Sequence, residues 1–285
     1  MDVKTAANNS VIKLKKHNIK LPHLEAEILL SFILKKPREF ILTHPEFILT
    51  SAQTKKIEKF IQQRCKGMPI AYLIGYKEFY GFNFLVNKNV LIPRPESELI
   101  IEEILKLNPN NIGTIIDVGT GSGCLAITLA KLLDKKIKYL GIDISQQALI
   151  TAKKNAAINK ITNIKFIKGD LLEPIIDKKI ELLKPKLIII ANLPYLTEKQ
   201  IKKSTSIKEE PPLALDGGQD GLDCYRKLLE QIKKIKIKQA FILLEIDPTQ
   251  KNKIASLIKK DLTSANFTIK KDLKGHNRLV ILELN

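Results

Sequence analysis

The chain predicts an α/β fold, a doubly wound and mainly parallel sheet preceded by a small helical segment. Three observations carry this. The first 70 or so residues show apolar residues only at helical spacing. From Gly113 onward, short aliphatic runs alternate with helix-period segments, the pattern of repeated β-α-β units. A glycine-rich turn, "GTGSG", follows the first of those runs, where such sheets open a ligand crevice at their C-terminal strand ends.

Taken in order, helices are expected at Val3–Lys16, Pro22–Leu34 and Ala52–Lys66. Thr50 followed by Gln53 reads as a capping box, Pro22 suits a first helical turn, and Pro37 and Pro45 punctuate. Three to five short helices over residues 1–74 make a helical domain. "YKEFYGFNFLVNKNVLI" gathers β-branched and aromatic residues around Gly81, a β-hairpin in a linking segment, 75–94. The remainder, 95–285, holds seven expected strands: Thr114–Val118, Ile137–Ile142, Ile164–Ile167, Leu187–Ala191, Gln239–Glu245, Phe267–Lys271 and Arg278–Leu284. Helices fit Gly123–Leu133, Gln146–Asn159, Leu222–Lys234 and Thr249–Asp261. The last two strands are joined by a short loop without a helix, so the final strand should run antiparallel.

Composition narrows the function classes. No apolar run approaches the roughly 18–20 residues of a membrane span, and "MDVKTAANNS" is polar rather than a signal peptide. Cys65, Cys124 and Cys224 are far apart and form no CxxC, which fits a reduced, cytoplasmic compartment. The four histidines do not cluster at metal-ligand spacing, so no metal is expected. The net charge of +18 invites a nucleic-acid reading, but 43 of the 48 basic residues are Lys beside abundant Ile and no Trp. That pattern reads as a compositional bias of the genome rather than of this chain, so the charge says little about partners.

The chemistry sits at successive strand ends. In "IIDVGTGSGCLAI", Gly119, Gly121 and Gly123, with Thr120 and Ser122 between them, allow close backbone approach to a ligand at a helix N-terminus. Dinucleotides, nucleotides and S-adenosylmethionine all use such loops. The G-x-G-x-G spacing and Asp117 just before it favour the last, since a carboxylate there repels a pyrophosphate and suits an ammonium. In "YLGIDIS", Asp143 ends the second strand and can accept ribose hydroxyls, while Ser145 caps the next helix. In "IKGDLLE", Asp170 can accept the adenine amine with Leu171 against the ring. The plainer alternatives are a ligand-free turn for the loop and structural roles for the acids.

"NLPY" ends the fourth strand. Pro194 biases Leu193 away from the α region, which aims the Leu193 carbonyl into the site. The Asn192 side-chain oxygen is a second acceptor, also bordering the cofactor, and Tyr195 offers a ring to stack beneath. Two acceptors on one –NH2 group would hold a planar amide or aromatic amine and stabilise the positive charge that develops on methylation. Asn192, Leu193, Pro194 and Tyr195 are therefore the expected catalytic and substrate-binding residues.

At this point the chain resembles the bacterial release-factor glutamine methyltransferases. The resemblance rests on "RCKGMPIAYLIGYKEFYGFNFLVNKNVLIPRPESE", "DVGTGSG", "NLPY", "EEPPLALDGGQDGL" and "DLKGHNRLV" and spans nearly the whole sequence. It implies a Rossmann-like, seven-stranded methyltransferase sheet with S-adenosyl-L-methionine as methyl donor. The implied substrates are class 1 peptide-chain release factors, methylated on the Gln of their Gly-Gly-Gln motif. It also implies a monomer, a docking role for the N-terminal helices, and no requirement for nucleic acid. Two positions depart from the family pattern: Leu193 in Asn-Pro-Pro-Tyr, and Asp247 in E-x-G-x-x-Q, here "EIDPTQ". Ribosomal-RNA adenine dimethyltransferases also carry "NLPY". However, they place their helical domain last and lack counterparts of "PRPESE" and "ALDGGQDGL". A non-enzymatic S-adenosylmethionine-binding module would leave the acceptor site without purpose. Gly217-Gly218-Gln219 spells the release-factor target inside this chain, and it reads as a glycine turn beside the site.

Overall fold

Side-chain caps set where the helices begin. Asp2 accepts from the Thr5 amide at the start of α1 (Val3–Lys16), and Pro22 occupies the first turn of α2 (Pro22–Leu34). After α3 (Arg38–Thr43), Thr50 and Gln53 form the expected capping box at the start of α4 (Ser51–Cys65), and α5 (Ile70–Ile74) closes on Gly75 in the left-handed conformation. The computed structural model describes residues 1–107, 112–177, 186–204, 207–235, 237 and 239–284. It contains two compact units, one of Met1–Gly75 with Ser204–Glu209, the other of Tyr76–Lys203 with Glu210–Asn285.

In the first unit, Leu14, Leu29, Leu30, Ile57 and Ile61 from α1, α2 and α4 are fully buried together. Each contributes about 1.5–3 kcal/mol by leaving water. Arg64 adds a two-pronged ion pair to Glu25, at 2.7 and 3.2 Å, on the flank of this core.

The second unit opens with a hairpin, β1 (Tyr76–Phe79) and β2 (Phe82–Leu85). The hairpin is built into this unit. Phe79 and Phe84 are buried in the same cluster as the sheet, and Asn155 and Asn159 hydrogen-bond the β2 backbone at Leu85 and Asn83. Next comes α6 (Glu98–Leu105), which burial of Ile100, Ile101 and Ile104 fixes.

The main sheet uses β3 (Ile112–Val118), β4 (Lys138–Asp143), β5 (Ile164–Lys168), β6 (Lys186–Ala191), β7 (Ala240–Glu245), β8 (Asn266–Lys271) and β9 (Asn277–Leu284). Their spatial order is β5-β4-β3-β6-β7-β9-β8. The first five are mutually parallel, and β9 inserts antiparallel to both β7 and β8, as the short final loop predicts. Helices α7 (Cys124–Leu132), α8 (Gln146–Ile158), α9 (Glu173–Ile176), α10 (Glu198–Lys203), α11 (Asp223–Ile235) and α12 (Lys251–Asp261) complete the unit. β3 and β6 are neighbours at the centre of the sheet, where the strand order reverses. Apart from the outermost residue of β6, both strands are buried along their whole length. Their C-terminal ends deliver Asp117 and Asn192 to one place, the switch point where open α/β sheets bind ligands. No helix among the described residues is long and apolar enough to cross a membrane, and no described His, Cys, Asp and Glu group could hold a metal ion.

Candidate active site

A cleft of about 510 Å³ lies over these strand ends. It is lined by Asp117, Gly119, Thr120, Gly121 and Ser122 from the first strand and its loop, by Asp143 from β4, by Asp170 and Leu171 beyond β5, and by Asn192, Leu193 and Pro194 beyond β6. The sequence-predicted residues thus converge, with two exceptions. Gly123 lies outside the lining, and its φ of +80° with Ile127 and Ala152 against it gives it a packing role at the start of α7. Tyr195 lies outside it too; its ring packs on the core and its hydroxyl donates to Glu245 Oε1 at 3.2 Å.

Asp117 is enclosed. Its Oδ2 accepts from the Thr120 hydroxyl at 2.7 Å and the Ala126 amide at 3.3 Å, while Oδ1 is buried without a hydrogen-bond partner. Burial pushes its carboxyl up to about 7, against the opposing effect of those two bonds. Asp117 is among the residues lining the cleft, and a carboxylate oxygen with an unused acceptor position fits a cationic ligand group. Asp143 accepts from the Gly121 and Ser145 amides, both at 2.8 Å. Burial raises its carboxyl and the two amides oppose the shift. Each of its oxygens keeps a further lone pair for a hydroxyl. Asp170 is paired with Lys227 at 2.5 Å, a partner the sequence reading did not anticipate. Leu171 stands beside it at a φ of +56°, costly for a side chain with a Cβ. Gln231 braces that turn by donating to the Asp170 carbonyl and accepting from the Leu172 amide.

The loop after β6 shows why its residues occur in this order. Leu193 buries its side chain over Gly119, where any Cβ would stand 2.9 Å from Leu193 Cδ2. Leucine at this departure from the family pattern therefore seals the floor of the glycine loop. Gly217 and Gly221 press against the backbone of Pro194 and Tyr195, leaving no space for a Cβ at either position. The Leu196 amide bonds to the Leu215 carbonyl and the Gly217 amide to the Leu196 carbonyl. The Gly-Gly-Gln sequence is thus rooted in a packed turn.

Four residues outside the expected set complete the surroundings. Asn192 Nδ2 donates to Ser97 Oγ at 2.9 Å, and Ser97 Oγ donates to Glu245 Oε2 at 2.5 Å. Gln250 donates to the carbonyls of Tyr195 and Gly221, both at 3.0 Å. Glu210, with its side chain almost fully buried, accepts from Arg94 at 2.5 Å and from the Ile92 amide at 3.1 Å, tying "PRPESE" to "EEPPLAL". Both motifs were visible in the sequence, but no local spacing shows that they meet. Asp247 stands at a φ of −68° and caps the turn leading to α12, so this position makes no demand for glycine.

Residues 6–75 match the PrmC N-terminal domain and residues 109–268 a methyltransferase domain. The chain is 36% identical over 284 residues to the release factor glutamine methyltransferase of Koribacter versatilis, covering 99% of this chain and 98% of the relative. It is 35% identical over 266 residues to that of Bacillus cereus, covering 90% and 91%. Among solved structures, the hMettl16 catalytic domain superposes with a TM-score of 0.57 at 13% identity over 90% of each chain, a likeness of fold alone. Matched over nearly its full length by these relatives and carrying both domains, the chain belongs to the release factor glutamine methyltransferase family.

Proposed function

We propose that the protein transfers a methyl group from S-adenosyl-L-methionine to the side-chain amide nitrogen of the Gln in the Gly-Gly-Gln motif of class 1 peptide-chain release factors. The observation that carries this is Asn192, held by its amide nitrogen at the end of β6 and lining the same cleft as Asp117, Asp143 and Asp170. The donor supplies a methyl on a sulfonium, whose C–S electron pair stays with sulfur as the glutamine nitrogen forms the new C–N bond.

Asp117 Oδ1 would hold the donor's ammonium, Asp143 its ribose hydroxyls, and Asp170 with Leu171 its adenine. Asn192 Oδ1 and the Leu193 carbonyl would accept both N–H bonds of the substrate amide. This aligns nitrogen with the methyl and stabilises the charge that develops on it. The methylated nitrogen is acidic enough to lose its proton to water, so the reaction needs no dedicated base. The helices of residues 1–74 and the "EEPPLALDGGQDGL" loop supply recognition of the release factor, because a grip on –NH2 alone is generic. The protein works as a cytoplasmic monomer without nucleic acid.

The test offers labelled S-adenosylmethionine with a release factor and ribosomal RNA as competing acceptors. Label should appear on the release factor, at the Gly-Gly-Gln glutamine. Changing that Gln to Ala should abolish labelling. Changing it to Asn should cost about 100-fold, because the amide then falls one C–C bond, about 1.5 Å, short of the methyl. Label on RNA adenine would replace this reading with nucleic-acid methylation.

A further inference from the structure

Resting on the proposed methyl transfer, we infer that Ser97 and Glu245 are positioning residues. They set which way round the Asn192 amide faces, so that its oxygen rather than its –NH2 group meets the substrate. Asn192 is useful only as an acceptor, yet an amide can present either end, and its two ends have nearly the same shape. Something must break that symmetry.

The chain of contacts does so. Ser97 Oγ has one proton and donates it to Glu245 Oε2 at 2.5 Å, within the range of a charge-assisted O–H···O⁻ bond. A hydroxyl that has given its only proton away can offer just lone pairs to its other neighbour. That neighbour is Asn192, whose Nδ2 lies 2.9 Å away, and the nitrogen end is therefore drawn to Ser97 while Oδ1 is turned elsewhere.

Glu245 fixes the direction of the whole chain because an ionised carboxylate only accepts. It is fully buried at the end of β7, and Tyr195 also donates to it, at Oε1. Burial raises its carboxyl and Glu96 adds to that, while the hydrogen bond from Ser97, the charge of Arg278 on β9 and the hydrogen bond from Tyr195 favour the ionised form. Ser97 is itself buried and anchored, with its backbone amide bonded to the Arg94 carbonyl. "PRPESE" thereby acquires a part in the chemistry through Ser97. The three residues are 95 and 148 positions apart in sequence, which is why no spacing announces the link.

Replacing Glu245 with Gln keeps the shape but permits the reverse chain. Gln can donate to Ser97, and Ser97 then donates to Asn192 Oδ1, leaving –NH2 facing –NH2. The experiment measures methyl transfer to a release factor at saturating donor for Ser97→Ala, Ser97→Thr and Glu245→Gln, each alone and combined with Asn192→Ala. Thermal melting and donor affinity are followed alongside. Ser97→Ala and Glu245→Gln should each lose roughly 10–100-fold in kcat, the scale of a misplaced contact group, with donor affinity unchanged. Ser97→Thr, which keeps the hydroxyl, should recover most of the rate. In the Asn192→Ala background the same changes should cost almost nothing more, because there is no amide left to orient.

Equal losses in both backgrounds would overturn the inference, and so would full activity in Ser97→Ala. If Glu245→Gln does not fold, the Ser97 pair alone decides. A wild-type protein that fails to label the release factor would overturn the proposed function itself, a result distinct from an active wild type with additive losses.

Discussion

Asp117 shows how one buried oxygen can tie cofactor affinity to pH. Burial pushes its carboxyl up to about 7, and one of its oxygens lacks a partner. A bound ammonium favours the ionised form, so binding draws on the deprotonated fraction, which falls as pH drops through 7. The dissociation constant for S-adenosylmethionine should rise about tenfold between pH 8 and pH 6. Asp117→Asn should abolish that slope. Turnover at saturating donor should not follow that slope, because Asp117 takes no part in the chemical step. Calorimetry showing a pH-independent affinity would remove Asp117 from the ammonium site. At Asp143, substitution by Ala deletes two expected hydroxyl contacts, worth about 1–3 kcal/mol together. It also releases the Gly121 and Ser145 amides. Donor affinity should fall by about 5–150-fold, and an unchanged affinity would place the ribose elsewhere.

At the scale of elements, the site is a meeting of loops that the sequence presents separately. The central strands were legible because β3, β4, β6 and β7 are largely buried aliphatic runs, and the reversal at β9 followed from a loop too short for a crossover. The glycine loop and the loop after β6 were legible because their chemistry is local. Less visible was α6, whose eight residues follow the punctuation of Pro93 and Pro95. The clamp formed by Gln250 could not be read at all, since its partners lie 55 and 29 residues away. Gln250 holds the loop after β6 to the Gly217–Gly221 turn, and its own Oε1 accepts from the Asp247 amide. Gln250→Ala should cost about 1–3 kcal/mol by leaving buried carbonyls unpaired. The melting temperature should fall by roughly 2–4 °C per kcal/mol. Turnover should fall about tenfold or more as the acceptor loop loosens. A variant that melts and turns over like wild type would show that glycine packing alone holds these loops.

For the molecule as a whole, Lys88 and Lys227 are among the residues that line the cleft, and the carboxylates of Asp170 and Glu210 are answered by Lys227 and Arg94. The central sheet does the positioning: β3 and β6 are buried neighbours, and their ends set Asp117 and Asn192 on one cleft. Family membership accounts for the class of reaction, and the geometry of this cleft accounts for how its residues could perform it. The central claim is that Asn192 is the acceptor that holds the substrate amide. Single-turnover methyl transfer to a release factor by Asn192→Ala, with donor affinity measured on the same protein, tests it most directly. The account predicts a rate lower by about 100–1,000-fold, by analogy with the loss of one charge-stabilising group at an oxyanion site, with donor affinity nearly unchanged. A rate equal to that of the wild type would mean that the substrate amide is held somewhere else.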